Sequence, residues 1–214
     1  MMEDCVYNKV CTQVCNEDCI RYKEMSYLLQ SSGIPKKRQM PASLIPGVDY
    51  GAFCELAEIK LNIVNAVENG FNLLIASNET GNGKTSWAIK LLLRYFDQVW
   101  AGNGFRQRGY FQHVPTLFNT LKDFSDSHDA LKYVLKNADI VVWDDIAGCK
   151  FSDFDTTQLL AILDDRLLNE KANIYTCNVT SQEQLEKAVG SRLASRIWNC
   201  SKKVILKGKD RRNG

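Results

Sequence analysis

At 214 residues, 45% hydrophobic and 24% charged, the chain has enough apolar material for one good core plus a small appendage. A formal net charge of +2 excludes a polycation, so any nucleic-acid contact must come from local basic patches. No run approaches the roughly 18 apolar residues of a membrane span, and the opening Met1-Met2-Glu3-Asp4-Cys5 lacks the basic and apolar parts of a secretory leader. A cytoplasmic protein is expected, whose eight cysteines act as thiols or metal ligands rather than disulfides.

The first 45 residues differ from the rest. Cys5, Cys11, Cys15 and Cys19 fall within fifteen residues, a set that suits tetrahedral Zn²⁺ in a module too short to fold without a staple. The spacing is not the standard C-x₂-C pair, and an iron–sulfur cluster or unliganded thiols are the alternatives. A helix is expected over Ile20–Gln30, then a basic extended linker over Ser31–Pro41 containing Lys36, Lys37 and Arg38. A boundary near residue 46 divides a Cys-rich module and linker (1–45) from the main domain (46–214).

From there strands and helices alternate. Residues 53–69 carry Leu56, Ile59, Ile63 and Val67 at helical spacing, with Gly70 as the stop. Residues 71–76 form an apolar run suited to a strand buried on both faces, followed by a helix over 85–96. A second strand is expected at 110–114, with Pro115 opening a helix to about Phe124. Further strands fall at 140–143, 173–179 and 203–206, with helices over 156–169 and 191–198. Ser181 and Gln184 mark a capping box at the start of another helix. This alternation predicts an α/β domain with a mostly parallel sheet covered by helices.

Strand 71–76 runs into Ser77-Asn78-Glu79-Thr80-Gly81-Asn82-Gly83-Lys84-Thr85. It matches the phosphate-loop pattern G-x-x-x-x-G-K-[ST], apart from Asn78 at the first position. Gly81 and Gly83 let backbone N–H groups turn toward phosphate oxygens, and the helix N-terminus adds partial positive charge. Lys84 would bring a full charge to the β/γ oxygens and Thr85 would ligate Mg²⁺, with Ser86 in the same helical turn. Asn78 is expected to take the left-handed conformation that Asn tolerates best after Gly.

Residues 138–145 form an apolar strand ending in Asp144-Asp145. Beside a phosphate loop the first carboxylate holds Mg²⁺, and the second stands where the attacking water is polarised. Asn178, at the end of the 173–179 strand, either contacts the γ-phosphate or lytic water or simply starts a loop. Arg192 and Arg196 share one helical face, as an arginine finger toward a neighbour's nucleotide or as surface charge. Phe105, Arg106 and Arg108 in the loop 102–109, Lys36–Arg38, and the lysines and arginines of 202–212 are the candidate contacts to single-stranded DNA.

In this order the pieces resemble the DnaC/DnaI family of replicative helicase loaders, the AAA+ branch that also holds the IstB transposition ATPases. The likeness covers about residues 46–212. It rests on 78–85, the 110–115 strand, Asp144-Asp145, Thr176-Cys177-Asn178, Gly190–Ile197 and the ending Lys207–Arg212. The resemblance implies an AAA+ P-loop core without a C-terminal lid domain, and ATP with Mg²⁺ as cofactors. It implies that Asn178 is sensor 1, that the finger lies in the helix of Arg192 and Arg196, and that Arg211 or Arg212 senses the γ-phosphate. It further implies a hexameric replicative helicase as partner, contacted through the N-terminal part, together with single-stranded DNA and self-association. The cysteine cluster, small size and altered loop suggest a phage or prophage version. Asn78 in place of the first Gly points to reduced nucleotide affinity, and the short Asp145 to slow, switch-like hydrolysis. An IstB-like transposition helper, a non-hydrolysing nucleotide-binding adaptor and a small-molecule kinase are the competing readings.

Overall fold

The computed structural model describes residues 5, 7, 11–12, 18–39, 44–99, 105–122 and 126–209. Strands β1 (Asn72–Ala76), β2 (Gly109–His113), β3 (Ile140–Asp144), β4 (Ala172–Cys177) and β5 (Lys202–Ile205) form one sheet. Its order is β2-β3-β4-β1-β5 and every pairing is parallel. Parallel neighbours need long crossovers, which the intervening helices supply. Each strand of the centre is therefore covered twice, and β3 and β4 have every residue buried.

Side chains alternate across a strand, so each strand feeds two cores. Leu73, Ile75, Val142 and Ile174 pack under α1 (Ile20–Ser31), α2 (Tyr50–Leu61), α3 (Ile63–Glu68) and α4 (Lys84–Val99). Leu74, Val141, Trp143 and Tyr175 pack on the other side. There the cover is α5 (Val114–Lys122), α6 (Asp126–Asn137), α7 (Asp153–Leu168), α8 (Gln182–Val189) and α9 (Ser191–Cys200). The mostly parallel α/β architecture read from the sequence is the one observed. No helix among the described residues is long and apolar enough to cross a membrane.

Several local expectations need correction. The helix expected over 53–69 is two helices, broken at Asn62, whose side chain donates to Glu58 O (3.2 Å) and competes with the helical ladder. Gly70 does turn the chain, at φ +63°. Helix α6 has no counterpart among the elements expected from the sequence. The capping box at Ser181 is only half made. Ser181 accepts from Gln184 N (3.3 Å), but the Gln184 carbonyl oxygen accepts from Thr180 N (3.1 Å) instead of the cap residue. The full box occurs at α7, where Ser152 and Asp155 satisfy each other's backbone.

The stretch expected as an extended linker is folded onto the sheet as far as Gln39. Met25, Leu28 and Leu29 of α1 and the following Ile34 enter the first core. Phe111 N donates to Ser32 O (2.7 Å), and Gln107 donates to Ser31 O. Gly33 sits at φ +70°, where an added Cβ would meet Phe111 O and the Tyr110 ring. Residues 32–34 thus cover the outer edge of β2, an end strand that would otherwise present unpaired backbone groups.

The N-terminal end of the sheet is held by a buried cation. Arg166 of α7 is fully buried. It donates to Asn173 Oδ1 (2.6 Å), to Leu135 O and Ala138 O (both 2.8 Å) and to Ala172 O. The Leu135 carbonyl lies in the last turn of α6 and that of Ala138 just past its end, a helix C-terminus where positive charge is favourable. Burial pulls the guanidinium down to about 10. Asn173 also accepts from Trp143 Nε1 (3.0 Å) and donates to Asn72 Oδ1 (2.8 Å), joining β3, β4 and β1. Arg166→Met would take the guanidinium donor from the Leu135, Ala138 and Ala172 carbonyls, at about 1–3 kcal/mol for each one left unpaired, so urea denaturation should show a loss of about 3 kcal/mol or more, with Arg166→Lys intermediate.

Candidate nucleotide site

Strand β1 ends at Ala76 and α4 begins at Lys84, leaving seven residues for the loop between them. Ser77 is buried and braces that loop from inside: its hydroxyl oxygen accepts from Glu79 N (3.0 Å) and Asn82 Nδ2 (2.6 Å). Gly81 and Gly83 take φ of +66° and +104°, conformations that a Cβ would strain. Among the described residues, Asp145 and Glu170 are the non-glycines with positive φ. Asn78 is therefore not left-handed, and its tolerance needs no special backbone conformation. Asn78, Glu79 and Thr80 are exposed at the mouth. Lys84 is buried, with Nζ donating to Glu79 O (2.6 Å) and approaching Asn82 Oδ1 (3.4 Å). Thr85 and Ser86 follow in the first turn of α4, whose backbone N–H groups have no intrahelical acceptor.

Asp144 closes the site from the C-terminal end of β3. Its Oδ1 accepts from Thr85 Oγ1 (2.7 Å) and Thr176 Oγ1 (2.8 Å), and its Oδ2 lies 3.2 Å from His113 Nδ1. Asp145 follows at φ +57°, and its N–H donates to Thr176 Oγ1 (2.9 Å). Gly148 closes this turn onto Asp145 O (2.9 Å), and a Cβ at Gly148 would collide with the Asp145 carboxylate. Asn178 Nδ2 donates to Asp145 Oδ1 (3.0 Å). Burial and the neighbouring Asp144 raise the Asp145 carboxyl above its usual range, opposed by His113 and Lys84.

The donor set fits Mg²⁺ with nucleotide. Thr85 and Asp144 present two hard oxygens side by side, and Mg²⁺ takes one or two protein oxygens beside phosphate and water. Lys84 and the loop around it would hold the phosphates. The N-terminal cysteines are placed less fully: Cys5 is buried, Cys11 exposed, Cys19 half-buried, and Cys15 lies outside the described residues. Among the described residues no three His, Cys, Asp or Glu side chains group as a metal cage.

The arginines lie away from this cluster. Arg192 and Arg196 are exposed on α9, and Arg196 pairs with Asp164 of α7 (2.7 Å), which raises its pKa through that hydrogen bond. Neither has a hydrogen bond or ion pair to the phosphate loop of its own chain among the described residues. Arg211 and Arg212 lie outside those residues. The chain approaching them leaves at the phosphate-loop end: Leu206 N donates to Ala76 O (2.8 Å), and Lys207 N to buried Asp49 (2.6 Å). The basic loop expected to meet DNA is largely committed elsewhere. Arg106 and Arg108 both pair with Asp139 (3.2 and 3.0 Å), and Phe105 sits edge-on to Tyr27, at the opposite end of the sheet. Lys36, Lys37 and Arg38 are exposed in a 3₁₀ turn.

Four parts of the site escaped the sequence reading: Ser77, His113, Gly148 and Leu44, which lies against Gly83. His113 was the most accessible of them, being a strand-end residue in register with Asp144.

The raised Asp145 pKa carries a stability consequence. Its contribution is complete below the ordinary Asp value and is lost as pH rises through the higher folded value. In magnesium-free buffer at neutral pH, Asp145→Asn should therefore melt above the wild type. That advantage should shrink as the buffer is taken below the usual carboxylate range, as thermal denaturation across pH would show.

No protein-family model matches the chain, nor does any curated protein sequence. Among solved structures it is similar to DnaI, with a TM-score of 0.68 and 18% identity over 89% of this chain and 100% of that one. It is similar to the DnaC helicase loader, with a TM-score of 0.65 and 21% identity over 81% of this chain and 100% of that one. A third is the replication initiator DnaA bound to AMPPCP and single-stranded DNA, with a TM-score of 0.60 and 14% identity over 86% of this chain and 50% of that one. The chain has the AAA+ P-loop fold that these structures share.

Proposed function

We propose that this chain is a helicase loader of the DnaC/DnaI type, an ATPase that engages a replicative helicase and single-stranded DNA under ATP control. The observation that carries this reading is the convergence of Lys84, Thr85, Asp144, Asp145 and Asn178 at one end of the sheet. It occurs on a fold that spans the whole of the DnaI and DnaC structures it resembles. The DnaA structure, captured with AMPPCP and single-stranded DNA, supports a nucleotide triphosphate and a single strand as ligands.

In this reading Lys84 neutralises the β/γ oxygens, and residues 78–83 cradle them with backbone N–H groups. Thr85 and Asp144 hold Mg²⁺, which offsets phosphate charge when bound. Asp145 orients the attacking water and takes its proton, and Asn178 fixes the Asp145 carboxylate while facing the γ-phosphate. Arg192 or Arg196 reaches a neighbouring copy's nucleotide; for Arg196 this means releasing Asp164. Arg211 or Arg212 senses the γ-phosphate from the chain after β5. The short Asp145 side chain suits slow, switch-like turnover. The N-terminal cysteine segment, with or without Zn²⁺, is the helicase-contacting part. Among the described residues, Arg106 and Arg108 are taken by Asp139 and Lys202 by Glu55, so Lys36–Arg38 with Lys203, Lys207 and Lys209 keep charges without a carboxylate partner for the single strand.

The test is Mg²⁺-dependent phosphate release, with and without single-stranded DNA. Lys84→Ala, Asp145→Asn and Arg196→Ala should each lower turnover at least about tenfold, and single strands should stimulate the wild type in a salt-dependent way. Tight ATP binding with no turnover in the wild type would sink hydrolysis and leave a nucleotide-dependent adaptor.

A further inference from the structure

The residue that breaks the phosphate-loop pattern makes a contact that glycine could not. Thr180 Oγ1 donates to Asn78 Oδ1 (3.0 Å), across 102 positions of sequence. Asn78 needs no glycine-like φ, so its side chain is the informative part of the substitution. Thr180 belongs to the loop between β4 and α8, and that loop is pinned at every residue. Cys177 Sγ donates to Val179 O (3.1 Å), Asn178 to Asp145 (3.0 Å), and Thr180 N to Gln184 Oε1 (3.1 Å) at the start of α8. Helix α8 packs closely on α9, which carries Arg192 and Arg196.

We propose that Asn78 is a positioning residue: through Thr180 it holds the Asn178 loop against the mouth of the phosphate loop, so that Lys84 and the Asn178–Asp145 pair address one γ-phosphate together. This rests on the ATPase reading above. It turns the departure at position 78 from a weakened phosphate loop into a compensated one. Restoring the consensus by Asn78→Gly removes the bond and impairs γ-phosphate recognition.

The experiment compares wild type, Asn78→Gly, Thr180→Val, Thr180→Ser and the Asn78→Gly/Thr180→Val double variant as full chains. Two readouts are taken: the affinity ratio of ATPγS over ADP with Mg²⁺, and hydrogen exchange of amides 178–181 in nucleotide-free protein. Asn78→Gly and Thr180→Val should each lower the ratio by about three- to tenfold, the scale of one hydrogen bond, with ADP affinity little changed in Thr180→Val. The double variant should be no worse than either single one, Thr180→Ser should behave as wild type, and exchange at 178–181 should rise in the same variants. An equal or higher ratio in Asn78→Gly, additive losses in the double variant, or unchanged exchange would each overturn the proposal. The exchange arm needs no nucleotide. A wild type that binds none would overturn the ATPase reading, while the exchange data would still report separately on the Asn78–Thr180 link.

Discussion

The carboxylate of Asp144 is the point on which the working end of this molecule depends. It gathers Thr85 from α4, Thr176 from β4 and His113 from β2, three elements that share no local sequence. A buried carboxylate is tolerable only when its oxygens accept hydrogen bonds. The same requirement that makes Asp144 costly therefore draws the strand ends and the phosphate-loop helix into one arrangement. The hydroxyl of Thr85 is thereby presented beside a carboxylate oxygen, as a hard-cation site requires.

The opposite end of the sheet solves the equivalent problem with the opposite charge. Arg166 satisfies carbonyls at and just past the end of α6 and at the start of β4, and through Asn173 it reaches β3 and β1. One end is thus an anion served by hydroxyl and imidazole donors, the other a cation served by neutral acceptors. Between them lie the apolar strand interiors, which contribute burial but little directional information. Such an arrangement holds strand register at both ends. The loops at the Asp144 end are then free to carry chemistry on a rigid base.

Within those loops the bracing is short-range and polar. Ser77 and Asn82 shape the phosphate loop from inside, and Gly148 makes room for the Asp145 carboxylate. The Asn78–Thr180 contact ties one loop to the next. The surface arginines obey a different logic. Arg196 is occupied by Asp164 and Arg192 is exposed, both away from the Asp144 cluster.

The sequence by itself determined what depends on neighbours along the chain. Apolar runs ending in Gly-x-Gly-Lys-Thr or Asp-Asp identify β1 and β3 and the polar groups at their ends, because strand burial and loop conformation are written within a few residues. Helix α1 was legible for the same reason. That it docks on the sheet, and that Ser32–Ile34 seal β2, depended on edge-strand backbone groups some eighty positions away. The three-way junction at Asp144, the commitment of Arg106 and Arg108 to Asp139, and the link from Asn78 to Thr180 were likewise decided only by tertiary structure. Each joins side chains roughly 30 to 100 positions apart, and no periodicity or motif records a partner at that distance; only the strand order that brings them together does.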